Sequence, residues 1–206
     1  MTLAWSTKSE TENLLMELEK NTNRKREVPQ RNATGELILA VKRGRVKYVQ
    51  DLLAAGAKIT VRDRKGNTAL HWAAQGGNEE AARYLLRAGA NMEAVDSWWR
   101  QTPLHRAAEW GHEAVAKMLL IAGADPDICD GDGRTSLHLA ALGGHVGMVT
   151  VLLAASADRG IKDYGGRMPV DMVREKDREQ LLPLLRCCGI GLNVPTSELL
   201  EKKIQW

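Results

Sequence analysis

A seven-residue motif that recurs at nearly constant spacing constrains this chain more than any other feature. It occupies residues 68–74, 102–108 and 135–141, with Thr first, Leu third, His fourth and two alanines last, at steps of 34 and 33 residues. A second block, Leu-Leu-x-x-Gly-Ala, begins at Leu85 and Leu119 and returns at Leu152 with Ser156 in the glycine position. Two blocks recurring in phase indicate one supersecondary unit stacked on copies of itself.

These residues resemble the ankyrin repeat, and weaker copies extend the match to about residues 34–189 in five repeats. The resemblance implies an all-α solenoid of helix-turn-helix units with β-turn fingers, capped by polar residues at both ends. The expected units are an N-terminal amphipathic helix and basic linker (1–33), repeats at 34–66, 67–99, 100–133, 134–166 and 167–190, and a C-terminal tail (191–206).

Within a repeat, the sequence predicts where each helix begins and ends. Thr102 supplies an N-cap oxygen and Pro103 fits the first helical turn, so the first helix begins there and ends at Gly111. Two residues of the outer helices depart from the repeat pattern. Ser156 replaces a left-handed glycine, and Pro183 falls where the last outer helix should already be running. We therefore expect the second helix of the fifth repeat to start late or to be irregular.

Composition and flanking segments bear on where the chain works. No apolar run approaches the roughly 20 residues of a membrane span, and the N-terminus lacks the pattern of a signal peptide. We expect an intracellular protein, cytoplasmic or nuclear and not secreted, with reduced thiols at Cys129, Cys187 and Cys188. Arg24 to Arg26 is either a nuclear import signal or acid-binding patch, or a solvated basic linker.

The N-terminal segment also contains a helix signal. Ser9 to Glu12 forms a capping box ahead of Leu14, Leu15 and Leu18, which predicts a short amphipathic helix. Its apolar side could pack on the first repeat, bind a partner or remain weakly ordered. The favoured interpretation is packing on the first repeat, because the apolar side of an amphipathic helix is normally buried against a core.

The sequence does not predict catalysis, a cofactor or a metal site. His71, His105 and His138 hold the same place in successive helices, whose axes lie about 8–10 Å apart, so they cannot converge on one ion. Asp130 to Gly133 lacks the remaining ligands of a calcium loop. The resemblance instead implies that histidines and threonines tie each turn to its helix; these structural residues are Thr68, His71, Thr102, His105, Thr135 and His138.

The function expected from the resemblance is a non-enzymatic protein-interaction module or adaptor that presents a concave face and turn fingers to a partner protein. The alternatives are a nuclear transcriptional or signalling regulator using the same repeats, and a structural scaffold without one dominant contact. We expect no small-molecule substrate, nucleic acid or membrane span, and a monomer when the protein is alone. Fold by itself does not choose among these functions.

The turn from Asp96 to Thr102 is the sharpest candidate for partner binding. It is one residue longer than the turns from Asp63 to Thr68 and from Asp130 to Thr135, and it carries two tryptophans. Trp and Arg dominate interface hot spots, although one indole, that of Trp99, could instead cover the neighbouring repeat. The candidate partner-binding residues are Trp98, Trp99, Arg100, Gln75, Glu109, Trp110, Leu142, Arg64, Lys65 and Asp132.

Overall fold

Residues 33–186 are described by a computed structural model, and they form an all-α stack of short helices. The helices in chain order are α1 Ala33–Lys42, α2 Val46–Ala54, α3 Ala69–Gln75, α4 Glu79–Arg87, α5 Pro103–Trp110, α6 Glu113–Ile121, α7 Ser136–Gly143, α8 Val146–Ala154 and α9 Arg178–Arg186. Within this range, β-type pairing is limited to one bridge between Arg62 and Thr68. The predicted N-terminal helix, Arg24 to Arg26, Cys187, Cys188 and the tail 191–206 lie outside the described residues.

The helices α3, α5 and α7, each the first helix of its repeat, begin after a threonine that is hydrogen-bonded to a histidine three residues later. At α5, the Thr102 N–H donates to His105 Nδ1 over 3.2 Å, and the His105 N–H donates to Thr102 Oγ1 over 3.4 Å. The other ring nitrogen, Nε2, donates to the carbonyl of Arg134 over 3.1 Å. His71 and His138 repeat this pattern with the carbonyls of Gln101 and Arg167. Each histidine therefore joins its own helix start to the following turn.

Left-handed residues follow the helices from α1 to α8, and the glycines after α3, α5 and α7 also allow close approach between repeats. Gly111 caps α5 at a φ of 73°, and a Cβ there would lie 2.8 Å from His145 Nδ1 of the next repeat. Ser156 adopts a φ of 64° after α8, the conformation that glycine supplies in the other repeats. A side chain in this region costs about 1–2 kcal/mol. Ser156 is exposed, so the departure from glycine creates no packing conflict.

Packing follows two parallel rows. Inner helices α1, α3, α5 and α7 contact one another in sequence, and outer helices α2, α4, α6 and α8 do the same before α9 packs on α8. The apolar side chains between the rows form one continuous core, whose fully buried leucines are Leu37, Leu52, Leu70, Leu85, Leu104, Leu119, Leu137, Leu152 and Leu181. Stability therefore comes from a line of interfaces rather than from one central core.

The fifth repeat departs from the expectation. Its inner helix is reduced to two short 3₁₀ segments, Pro169–Met172 and Glu175–Asp177. The prediction of a late or irregular second helix was wrong, because α9 runs without interruption through Pro183. Pro183 lies on the exposed side of α9, while Leu181 and Leu185 on the other side are buried, so the ring does not disturb the packing.

Candidate partner-binding surface

Between residues 63 and 167, four turns, here called fingers, connect the repeats, and each is closed by the same type of backbone hydrogen bond. In each, the backbone N–H of an initial aspartate donates to the carbonyl of the last residue. The fingers are finger 1 (Asp63 to Asn67), finger 2 (Asp96 to Gln101), finger 3 (Asp130 to Arg134) and finger 4 (Asp163 to Arg167). The closing distances are 2.8–3.0 Å. The base of every finger is therefore the same closed turn.

The initial aspartate also anchors its finger through the carboxylate. Asp130 Oδ1 accepts from the backbone N–H groups of Asp132 and Arg134, each over 2.9 Å, and Oδ2 pairs with the Arg134 guanidinium over 3.0 Å. Asp163 is held in the same way by Gly165 and Arg167. These hydrogen bonds, first among them the one from the Arg167 backbone, keep the pKa of the Asp163 carboxyl below its ordinary value.

Finger 2 keeps this base but rearranges the bonds above it. Asp96 Oδ1 accepts from the backbone N–H groups of Trp98 and Trp99 over 2.9 and 2.7 Å. Oδ2 pairs with Arg106 of α5 over 3.0 Å. Arg100 adopts a φ of 52°, close to the 81° of Gly66 and the 79° of Gly133 in the shorter fingers. The six-residue turn therefore closes by placing an arginine where its neighbours have glycine.

Neighbouring fingers are joined by a row of backbone hydrogen bonds, here called the finger ladder. The donors Ser97, Gly131 and Tyr164 bond to the carbonyls of Lys65, Trp99 and Asp132 over 2.7–2.9 Å. Every donor is the second residue of its finger. The acceptor is the third residue in fingers 1 and 3 but the fourth, Trp99, in finger 2, so the ladder accommodates the extra residue before Trp99.

Gly131 makes the shortest contact of the ladder, 2.7 Å, and a Cβ there would lie 3.0 Å from the Trp99 carbonyl oxygen. Glycine at this position lets the backbones of fingers 2 and 3 approach closely. The tip of finger 2 is consequently held on both sides although it stands at the surface.

Both tryptophans of finger 2 are exposed, Trp98 by 64% and Trp99 by 50% of their surface. The Lys65 ammonium lies 4.8 Å from the centroid of the Trp98 ring, within cation–π distance. Neither indole is therefore buried in the stack. Arg64 and Lys65 of finger 1 are also exposed, whereas Asp132 of finger 3 is ion-paired with Arg134 over 2.7 Å.

The inner-helix candidates lie away from the finger tips. Trp110 is exposed by 53% at the last position of α5, which the helical rise places about 10 Å from Pro103 at the finger end. Leu142 is exposed by 41% on α7. Gln75 is half-buried, and Glu109 is exposed and paired with Arg106 over 3.4 Å. The structure thus separates the candidates into a finger group and an inner-helix group.

Trp72 belongs to the inner row but is engaged within the stack. Its indole N–H donates to Asp63 Oδ2 over 3.0 Å, and the Lys42 ammonium lies 3.7 Å from the ring centroid. An open cleft of about 370 Å³ lies beside it, and its lining includes Lys42, Trp72 and Gln75. Trp72 therefore forms part of the floor of the inner-helix surface rather than a free projection.

Sequence reasoning missed two exposed apolar residues. Tyr164 of finger 4 is exposed by 81%, and Leu39 of α1 by 43%. Tyr164 occupies the second finger position, where the other fingers carry Arg64, Ser97 and Gly131, and this alignment was available as a signal. Its ring lies over Gly133, where a Cβ would come within 2.7 Å of Tyr164 Cδ1.

The titratable groups at the finger bases act as structural elements. Burial lowers the pKa of His71 to about 4, and it also lowers the pKa of His105 and His138. The neutral ring is the form that fits, because Nδ1 faces a donated N–H while Nε2 donates to a carbonyl. No group of three potential metal-ligating side chains occurs between residues 33 and 186, and no helix in that range could cross a membrane.

Comparison with known proteins supplies a family match. The family model described as ankyrin repeats (3 copies) matches residues 37–130 and 116–196. Calmodulin-binding transcription activator 4 of Arabidopsis thaliana is 46% identical over 52 residues, which is 25% of this chain and 5% of that protein. The ankyrin repeat protein RP714 of Rickettsia prowazekii is 53% identical over 38 residues, 18% of this chain and 36% of that protein. The chain thus spans well under two thirds of either relative.

Proposed function

Because the chain belongs to the ankyrin-repeat family, we propose that it is a non-enzymatic adaptor that binds a partner protein chiefly through finger 2. Ankyrin repeats are in general protein-interaction modules, and a stacked array presents an extended surface to its ligand. The observation that carries the proposal is the pair of indoles, Trp98 and Trp99, exposed on a turn whose backbone is held on both sides.

Desolvation of the two indoles and the existing order of the finger 2 backbone both favour binding at this site. A tryptophan at the centre of an interface contributes about 2 kcal/mol or more when truncation is measured. Binding at finger 2 should cost little backbone conformational entropy, because the backbone is already held in place. Asp96 accepts from the N–H groups of Trp98 and Trp99, and the Gly131 N–H donates to the carbonyl of Trp99. A partner would therefore meet two large apolar side chains on a fixed backbone.

The remaining candidates extend the proposed surface in two directions. Arg64, Lys65 and Arg100 flank the indoles, and Asp132 follows on the next finger. Gln75, Glu109, Trp110 and Leu142 form the inner-helix part, where Trp110 and Leu142 offer apolar area. In this proposal the inner helices contribute secondary contacts, because Trp110 lies at the end of α5 remote from the finger.

The test compares Trp98→Ser/Trp99→Ser with the parent chain. A partner is first isolated with the parent chain, identified by mass spectrometry and purified, and its affinity is then measured by calorimetry. We expect the double variant to melt within a few degrees of the parent and to bind at least about tenfold more weakly, about 1.4 kcal/mol. Glu79→Ala/Glu80→Ala, on the exposed side of α4, is the control and should bind normally.

Two results would contradict the proposal. One is a double variant that binds like the parent, and the other is a double variant that unfolds the stack. The inner-helix part has its own test. If Glu109→Ala/Trp110→Ala binds normally while outer-helix changes abolish binding, the concave face is not the contact surface.

A nuclear regulator remains the second candidate function. Its supporting observations are the basic triplet Arg24 to Arg26 and the partial similarity to a plant transcription activator. Replacing the three residues by alanine should move a tagged chain out of the nucleus if they act as an import signal. A chain confined to the cytoplasm both before and after the change would count against this version.

A further inference from the structure

The charges around finger 2 are unevenly balanced. The aspartates that begin the first three fingers are paired internally, Asp63 with Lys42 over 3.5 Å, Asp96 with Arg106 over 3.0 Å and Asp130 with Arg134 over 3.0 Å. By contrast, no ion pair in the described part of the chain involves the exposed cations at the tips, which are Arg64, Lys65 and Arg100. The tips of fingers 1 and 2 therefore carry uncompensated positive charge.

These cations and the two indoles form one surface, here called the basic indole patch: Arg64, Lys65, Trp98, Trp99 and Arg100. The Ser97 N–H donates to the Lys65 carbonyl over 2.9 Å, which sets the two finger backbones side by side at the spacing of paired strands, about 5 Å. The Lys65 ammonium reaches across to the Trp98 ring at 4.8 Å. Positive charge and apolar area thus alternate within a few residues.

We propose that the basic indole patch binds an acidic peptide segment that carries an apolar anchor residue. The inference rests on the proposed function and adds the chemical class of the partner. Carboxylates of the segment would pair with Arg64, Lys65 and Arg100, whose charges have no internal competitor. The anchor would lie against Trp98 and Trp99. Recognition of acidic motifs by clustered cations is an established mode of peptide binding, and arginine can hold a carboxylate with two hydrogen bonds.

The neighbouring finger favours a short acidic peptide over single-stranded nucleic acid. Indoles with cations also suit stacked bases, but a nucleic-acid backbone needs a continuous basic track across several nucleotides. The next finger along the ladder is finger 3, where the cation Arg134 is already paired with Asp132 over 2.7 Å and with Asp130 over 3.0 Å. A longer polyanion would find no free cation there, whereas a segment with a few acidic residues would end before it.

The experiment begins with peptide display. A random twelve-residue library is selected on the immobilised full chain, and the enriched peptides are synthesised and measured by fluorescence polarisation. We expect enrichment of Asp and Glu around an apolar residue, with affinity that falls as salt rises from 50 to 300 mM, as screened charge pairs require. A dodecathymidylate strand measured in parallel serves as the nucleic-acid probe.

A matched pair of charge variants locates the binding. Arg64→Gln/Lys65→Gln/Arg100→Gln should lower the affinity for the selected acidic peptides at least tenfold. The control Lys47→Gln/Lys58→Gln/Lys162→Gln removes equal charge from exposed lysines elsewhere and should stay within twofold. Thermal melting of both variants establishes that each is folded. Equal effects of the two variants would overturn the proposal, because they would indicate net charge rather than this patch.

The outcomes separate this inference from the proposed function. If the selected peptides are neutral or basic and their binding is lost in Trp98→Ser/Trp99→Ser, the acidic chemistry is overturned. The proposal of an adaptor that binds through finger 2 then still stands. Acidic peptides unaffected by both the tryptophan and the cation variants overturn the patch and the finger 2 contact together. Tighter binding of the thymidylate strand than of every selected peptide overturns the peptide class in favour of nucleic acid.

Discussion

Fingers 2 and 3 have the same base and different tips. In both, an initial aspartate closes the turn, its carboxylate accepts two backbone N–H groups, and an arginine pairs with it. The arginine of finger 3 is its own last residue, Arg134, whereas that of finger 2 is Arg106 on the following helix. Finger 3 has Gly133 just before its last residue, whereas finger 2 has Arg100 there and carries an additional residue and two exposed indoles.

The difference shows that a repeat can change its tip without changing its support. The extra residue of finger 2 leaves the closing bond at 3.0 Å and the ladder bond to Gly131 at 2.7 Å. Its cost appears at Arg100, where a left-handed arginine is about 1–2 kcal/mol less favourable than glycine. Local backbone strain of this kind is typical of positions that serve a function.

The largest predicted effect tests the shared support. Leu119→Ala removes a fully buried side chain from α6, a helix of the repeat between the two fingers, and should lower the free energy of unfolding by about 2–5 kcal/mol. Lys65→Ala, at an exposed finger tip, should change it by about 0.5 kcal/mol or less. Urea denaturation measures both. Equal midpoints for Leu119→Ala and the parent chain would show that the repeat register is wrong.

Acidification should loosen the bases of both fingers. His71 holds the last residue of finger 2 and His105 that of finger 3, and both have pKa values below that of the unfolded chain, near 6.5. Below pH 6.5 the unfolded chain binds protons that the folded chain does not, so stability is lost as pH falls toward about 4. For His71 alone, the free energy of unfolding at pH 5 should be about 2 kcal/mol lower than at pH 7.5.

Urea midpoints at pH 7.5, 6.0 and 5.0 measure this dependence, with His71→Gln as the reference variant. The variant lacks the titrating ring, so its stability should change less across this interval. A parent chain equally stable at pH 7.5 and pH 5.0 would contradict a neutral buried histidine.

A paired substitution compares the two anchors directly. Asp96→Asn and Asp130→Asn each retain an acceptor but remove the charge that strengthens the hydrogen bonds and the arginine pair, at an expected cost of about 1.5 kcal/mol each. Hydrogen exchange should then speed up at the tip of the altered finger. If Asp96→Asn has no effect while Asp130→Asn does, finger 2 is held differently from the others and the comparison fails.

The smallest predicted effect concerns the strained arginine. Arg100→Gly should raise the free energy of unfolding by up to about 1 kcal/mol, since glycine adopts a φ of 52° at little steric cost but loses more backbone entropy on folding than arginine does. Gly133→Ala is the opposite change in finger 3 and should destabilise, because its Cβ would also approach Tyr164 Cδ1 to 2.7 Å. Thermal denaturation resolves the two signs. A stability decrease in Arg100→Gly would indicate that the arginine side chain supports the fold.

The sequence predicted the fold because its period is a property of the chain itself. The steps of 34 and 33 residues indicated the stack, and the longer interval from Asp96 to Thr102 indicated an inserted residue at the tip. Both follow from counting positions within repeats. The assignment of Trp98, Trp99 and Arg100 to partner binding stays a prediction, although the structure leaves both indoles exposed.

What the sequence did not predict depends on contacts between repeats. Pro183 indicated an irregular helix by local rules, but packing of Leu181 and Leu185 against the preceding helices holds α9 in one piece. Tyr164 is a different case, because its alignment with the second finger position was available in the sequence and was overlooked since tyrosine carries no strong turn preference. The finger ladder was not predictable either, since its donors and acceptors are backbone groups whose partners are set by the position of the next repeat.

The finger ladder has a consequence for proteolysis. Lys65 and Arg100 are exposed trypsin sites on loop tips, where nicking normally concentrates. A protease must draw several residues into an extended form, and here that requires breaking the bonds from Ser97 to Lys65 and from Gly131 to Trp99. Cleavage at these sites therefore waits for neighbouring fingers to separate, so the basic tips resist trypsin for as long as the row of repeats stays together.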